Sequence, residues 1–103
     1  MNFESLLKRA EQGDAVSELE LDKNYYNGRG VNKDYAKAFK WFYEAANDGV
    51  GEAEYYIANC YYEGLGTEKS YRLALDYFLR AQKHYYMDVC QRILDCKKNL
   101  NIA

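Results

Sequence analysis

The chain of 103 residues contains no proline, one histidine and one tryptophan. Without proline nothing forces a helix to kink or stop, so helices can run to their natural caps. No apolar run approaches the roughly 20 residues that span a bilayer, and a membrane segment is not expected. Met1 to Gly13 is charged throughout and lacks the apolar core of a signal peptide, so a cytoplasmic protein is expected. Cysteine is scarce and odd in number, at Cys60, Cys90 and Cys96, which suits reduced thiols better than a disulfide framework. The formal net charge is -2, so there is no general basic field to attract phosphate, and nucleic acid is not an expected partner.

What the chain has in abundance is tyrosine, with 12 Tyr against 4 Phe and the single Trp. It also repeats itself. Tyr25-Tyr26-Asn27-Gly28-Arg29-Gly30 returns 36 residues later as Tyr61-Tyr62-Glu63-Gly64-Leu65-Gly66. At the same offset Tyr35 meets Tyr71, Ala38 meets Ala74, Trp41 meets Tyr77, Phe42 meets Phe78 and Ala45 meets Ala81. Upstream, Ser17 meets Ala53 and Leu21 meets Ile57, with no gap anywhere. The offset reaches both ends. Phe3, Leu6, Ala10 and Gly13 fall on Phe39, Phe42, Ala46 and Gly49, while Val89 and Ile93 fall on Ala53 and Ile57.

Within each unit the apolar residues recur at helical spacing. Ser17, Leu21 and Tyr25 share one face, as do Ala53, Ile57 and Tyr61; Ala38, Trp41, Phe42 and Ala45 form the next stripe. Asp34 and Ser70 stand where N-caps belong, and Gly28 and Gly64 where helices must end. Gly13 and Gly49 are expected to end the other helices in the same way. Six helices follow, near 3–12, 15–27, 35–48, 52–63, 71–83 and 86–99. The expected layout is one repeat domain over 1–103: an N-terminal capping helix at 1–13, repeat one at 14–49, repeat two at 50–85 and a C-terminal capping helix at 86–103. The fold class is all-α, a solenoid of helix pairs whose end helices keep polar outer faces. Trp41 is expected in the core, where truncation to Ala would cost roughly 3–5 kcal/mol.

The run Tyr25-x-x-Gly28-x-Gly30-Val31-x-x-Asp34-Tyr35-x-x-Ala38-x-x-Trp41-Phe42-x-x-Ala45-Ala46-x-x-Gly49 resembles the Sel1-like repeat, a relative of the tetratricopeptide repeat. Nearly the whole chain takes part, one unit closely and one more loosely. Tyr77 stands where the family prefers Trp, Gln82 replaces the second Ala, and Asp22 occupies a position where the family places Gly and the second unit has Ala58. The resemblance implies a right-handed superhelix of antiparallel helix pairs, and adaptors, scaffolds or regulators that bind other proteins rather than enzymes.

In an α-solenoid the first helix of each pair lines the concave side. On a helical projection the face opposite Leu21 and Tyr25 holds Leu19, Glu20, Lys23, Tyr26 and Asn27. Its counterparts are Tyr55, Tyr56, Asn59, Tyr62 and Glu63, then Gln91, Arg92, Asp95, Lys98 and Asn99. The candidate partner-binding set is therefore Leu19, Glu20, Lys23, Tyr26, Tyr55, Tyr56, Asn59, Tyr62, Arg92 and Asp95. Tyr combines a large rigid surface with a polar tip, which suits recognition of a protein or peptide. The competing reading is that Tyr55 and Tyr56 simply pack between neighbouring helices.

Catalytic and metal readings find little. His84 has no acid or nucleophile at motif spacing. Cys60, Cys90, Cys96 and His84 contain no compact ligand pair for zinc. Gly28-x-Gly30 lacks the preceding strand and following Lys-Ser/Thr of a phosphate loop. No catalytic residue, metal site or cofactor is expected. The acids Glu11, Asp14, Glu18, Glu20 and Asp22 form either a solvated face or a docking strip for a basic partner. The expected function is a protein–protein interaction module of adaptor or scaffold type, a monomer or small dimer that engages neither nucleic acid nor membrane. The alternatives are an inhibitor or immunity-type protein that blocks one cognate protein, a homo-oligomer, and, with least support, an enzyme.

Overall fold

The computed structural model describes residues 3–84 and 89–102. Among these residues there are six helices and no strand: α1 (Phe3–Glu11), α2 (Ala15–Asn27), α3 (Tyr35–Asn47), α4 (Gly51–Glu63), α5 (Tyr71–Lys83) and α6 (Cys90–Asn99). Each packs on its neighbours in sequence, and the stack measures 46 × 25 × 18 Å. No helix among the described residues is long and apolar enough to cross a membrane. The expected helices agree to within a residue at every end except the start of α6. That helix begins at Cys90 instead of 86, and residues 86–88 lie outside the described residues.

The capping chemistry explains the boundaries. Asp34 accepts a hydrogen bond from the Lys37 backbone N–H at 3.0 Å, and Ser70 accepts from that of Leu73 at 3.2 Å. Gly28 and Gly64 end α2 and α4 in the left-handed region at φ 74° and 73°, their N–H groups donating to Asn24 and Cys60 carbonyls. The loops then match bond for bond: Asp34 N–H donates to Tyr25 O, and Ser70 N–H to Tyr61 O. Gly13 and Gly49 end α1 and α3 as expected, one residue later than Gly28 and Gly64 do for their helices: each is left-handed, at φ 86° and 82°, and donates to the Ala10 or Ala46 carbonyl while the next N–H reaches Arg9 O or Ala45 O. Gly66 is required for another reason: a Cβ there would overlap the Tyr35 carbonyl at the start of α3.

The core divides into two clusters. The larger joins Ala38, Phe42 and Ala46 of α3, Ala53, Ile57 and Ala58 of α4, four residues of α5 (Ala74, Leu75, Tyr77 and Phe78), and Val89, Ile93 and Cys96. Phe42 and Phe78 are fully enclosed, each burial stabilising the fold by about 1.5–3 kcal/mol. The smaller cluster is Leu6, Ala10 and Leu21, where α1 meets α2. Trp41 belongs to neither. It is only partly buried and borders a small cleft with Leu7, Ala10 and Leu21, with the Lys40 ammonium over its ring. The core role expected for it falls to its neighbour Phe42, because the short α1 leaves one side of the indole open.

The polar outer surface expected of the last helix is also interrupted. Leu94 is 60% exposed, whereas its counterparts Ala58 and Asp22 are buried.

Candidate functional site

Tyr26, Tyr55, Tyr56 and Tyr62 are brought together by stacking α2, α4 and α6 side by side. Tyr26 packs edge-on to Tyr56 with ring centroids 5.0 Å apart, and Tyr56 meets Tyr55 edge-on at 5.5 Å. Polar links run along both flanks. On one, Lys23 of α2 forms an ion pair with Glu52 of α4 and another with Glu20 at 3.3 Å. On the other, Tyr62 donates a hydrogen bond to Asp95 of α6 at 3.3 Å, and the Arg92 guanidinium lies 4.5 Å from the Tyr62 ring centroid. Arg92 also reaches Glu63, and Asp95 accepts from Gln91 at 3.1 Å.

These rings are anchored as well as displayed. Tyr56 stacks on core Phe42 at 4.6 Å with planes 6° apart, and Tyr62 packs edge-on to Phe78 and Tyr71. Burial pushes the Tyr26 and Tyr56 hydroxyls above their ordinary pKa, so both stay protonated donors at neutral pH. Burial pulls Lys23 down, but its bonds to Glu52 and then Glu20 outweigh it and hold the ammonium above its ordinary value. The two readings of the tyrosines are thus not alternatives. Each ring packs between helices with one edge and remains partly exposed with the other.

Two members of the expected set leave it. Asn59 is buried, 7% exposed, and its Oδ1 has no hydrogen-bond partner, so it lines no surface; it shares its side of α4 with the larger Tyr55 and Tyr62 a turn away on either side, which crowd it from solvent. Leu19 lines a separate cleft with Glu44 and Ala45 of α3. Glu20, Lys23, Tyr26, Tyr55, Tyr56, Tyr62, Arg92 and Asp95 remain partly or fully exposed.

The acidic run does not form one strip. Asp14 accepts from Ser17 Oγ at 2.6 Å and faces Arg9; the Ser17 bond is the largest influence drawing its carboxyl below the ordinary value. Glu20 pairs with Lys23. Asp22 is 1% exposed, and neither carboxyl oxygen has a hydrogen-bond partner. Burial first, then Glu18 and Glu44, push it up to about 8.

Sequence reasoning missed one pair. His84 Nδ1 lies 2.6 Å from Glu54 Oε1, a carboxylate that is 2% exposed, so the end of α5 is tied to the first turn of α4. The two are 30 residues apart and follow no motif; the only signal was a His beside a helix end. Cys60 and Cys96 are buried and Cys90 is exposed, all with free thiols, and burial pushes Cys60 up to about 12. Among the described residues no group of three or more His, Cys, Asp or Glu could hold a metal ion.

The family model described as Sel1 repeat matches residues 23–50 and 51–81. Over 45 residues the chain is 40% identical to the secretory immunoglobulin A-binding protein EsiB of Escherichia coli O6:H1, covering 44% of this chain and 9% of that protein. The crystal structure of a Sel1 repeat protein from Oxalobacter formigenes superposes with a TM-score of 0.71 at 36% identity, over 80% of this chain and 33% of that one. Helicobacter pylori cysteine rich protein B gives 0.74 at 26% identity, over 86% and 67%. The chain therefore spans about a tenth of the length of the first of these proteins and a third of the second.

Proposed function

The chain belongs to the Sel1 repeat family, whose members are generally protein-interaction modules and typically not enzymes, and from that premise we propose that it binds a segment of another protein across the tyrosine-lined face of α2, α4 and α6, acting as an adaptor or scaffold. The observation that carries this reading is the chain of partly exposed Tyr26, Tyr56 and Tyr55, joined to Tyr62 through the Phe78 ring that Tyr55 and Tyr62 share, and flanked by Lys23 on one side and Arg92 with Asp95 on the other. Rigid aromatic anchors with charged groups at the rim are the usual composition of a binding hot spot. EsiB is a secretory immunoglobulin A-binding protein, which supports protein binding as the general activity.

The test compares adjacent residues. Tyr61 packs edge-on to Phe39 and stacks on Tyr77, so it belongs to the interior side of α4. The chain is used as bait to capture a partner, whose affinity for variants is then measured. Tyr62→Ala is expected to weaken binding roughly thirtyfold, near 2 kcal/mol, with a modest loss of melting temperature. Tyr61→Ala is expected to lower the melting temperature more and the affinity of the folded fraction less. Equal affinity of the Tyr62 variant and the parent overturns the reading.

A further inference from the structure

Two clefts flank Glu18 near the start of α2. The first, about 110 Å3, is lined almost wholly by apolar atoms of Leu7, Ala10, Leu21 and Trp41, with Glu18 at its edge. The second, about 330 Å3, lies between the start of α2 and the end of α3. Val16, Leu19 and Ala45 give it apolar walls, and Glu18, Glu44 and Asp48 surround it. Val16 is 73% exposed. Glu18, Glu44 and Asp48 have no ion-pair partner among the described residues, unlike Glu20, Glu52, Glu54 and Glu63. One turn beyond Glu18 the enclosed Asp22 carboxyl also lacks any partner, and it feels both Glu18 and Glu44.

We propose that these paired clefts form a second docking surface, for a basic amphipathic segment of a partner protein, with an aliphatic side chain entering the Trp41 cleft and an arginine or lysine entering the Glu18–Glu44–Asp48 cleft. Charge complementarity selects the occupant. Glu18 of α2, Glu44 of α3 and Asp48 just past α3 line the larger cleft, and none of them has an ion-pair partner among the described residues, so a cation seated there gains from all three. The apolar walls select the rest of the segment. The long methylene stem of Lys or Arg packs along Val16, Leu19 and Ala45 while its head reaches the carboxylates. The adjoining apolar cleft takes an apolar neighbour on the same helical face of the ligand. The burial of Asp22, which keeps its proton at neutral pH, is consistent with a corner already crowded with negative charge. None of the four tyrosines lines either cleft, and this proposal does not rest on the tyrosine face.

Trp41 is the only tryptophan, so its fluorescence reports on this site directly. The probe is a basic amphipathic peptide built of Leu, Ala and Arg, with a twin carrying Glu at every Arg position. The basic peptide is expected to change Trp41 emission saturably, and the acidic twin is not. Glu18→Gln combined with Glu44→Gln is expected to weaken binding at least about tenfold, and Tyr62→Ala is expected to leave it unchanged. Glu44 is exposed, so Glu44→Gln alone retains the fold and serves if the double variant does not. The proposal is overturned if the emission does not respond to the basic peptide, or if both peptides bind alike. It is equally overturned if the Gln variants bind as the parent does, if Tyr62→Ala abolishes binding, or if the clefts are found closed by a second copy of the chain in sedimentation.

Discussion

Where repeat two buries Ala58 in the larger core cluster, repeat one buries Asp22 without a hydrogen-bond partner. Where repeat two buries Tyr77, repeat one leaves Trp41 partly open. The loops of the two units nonetheless match hydrogen bond for hydrogen bond. Backbone geometry and interior quality are therefore separable in this fold. Capping residues and glycines alone reproduce the unit, while the density of the core depends on what lies on the far side of each helix. Repeat two, between the thirteen-residue α3 and the ten-residue α6, buries Ala58 and Tyr77 in the larger core cluster. Repeat one has the nine-residue α1 on one side, a satellite cluster of three buried residues, an enclosed unpaired carboxyl and two open clefts.

The largest expected effect lies in the pair Tyr77 and Trp41. Tyr77 is 6% exposed, stacks on Tyr61 and carries the Arg80 guanidinium 4.7 Å from its ring centroid. Tyr77→Ala is expected to cost about 3–4 kcal/mol, a large part of the stability of a domain this size. Trp41→Ala is expected to cost about 1–2 kcal/mol, less than its size would suggest, because the indole is only partly enclosed. Thermal or urea melts decide. Equal losses at the two positions would erase the distinction between the units.

Next comes Asp22. Its carboxyl titrates near its ordinary 3.8 in the unfolded chain and is pushed up to about 8 in the fold. Between these values the folded state holds a proton that the unfolded state has released, so stability falls as pH rises from about 4 to about 8. Asp22→Ala copies repeat two at this position. It is expected to stabilise the chain by about 1–3 kcal/mol at pH 8, and to remove most of the stability decline over that interval. A variant that is less stable at pH 8, or that keeps the same pH slope, would show that Asp22 is not the source of the looseness in repeat one.

The smallest expected effect is at the rim. Glu20 is exposed and pairs with Lys23, which is also held by Glu52. Glu20→Gln is expected to change stability by less than about 0.5 kcal/mol and to alter partner affinity chiefly through its salt dependence. A shift comparable to that of Tyr62→Ala would mean that charge, not the tyrosine line, dominates the interface.

The helices were legible because their signals are local. Asp34, Ser70, Gly28 and Gly64 act within a few residues of themselves, and a fixed offset doubles every signal. The registers of Leu21 with Ser17 and of Ile57 with Ala53 were legible for the same reason: helical spacing alone names the buried face. The tyrosine strip was legible as a face, but not in its depth. Asn59 sits on the expected side of α4 and is buried all the same, because its exposure depends on the girth of Tyr55 and Tyr62. The fates of Trp41, Asp22 and His84 depend on partners in other helices. Trp41 depends on the length of α1, Asp22 on Glu44 of α3, and His84 on Glu54 thirty residues away. The acidic run looked continuous along the chain, yet in space it separates into paired, buried and convergent carboxyls.

Gly66 leaves no room for a Cβ beside the Tyr35 carbonyl, so the loop of the second unit sits directly on the first turn of α3. Contact between one main chain and another works as a gauge. It sets the distance from unit to unit by peptide geometry, whatever side chains line the interior. The surfaces and even the filling of each unit are then free to diverge, as Asp22 and Ala58 have, while the metre of the chain is held fixed. Insertions that most surface loops absorb without harm would here push the units out of step, and copies could be added to such an array only in whole periods.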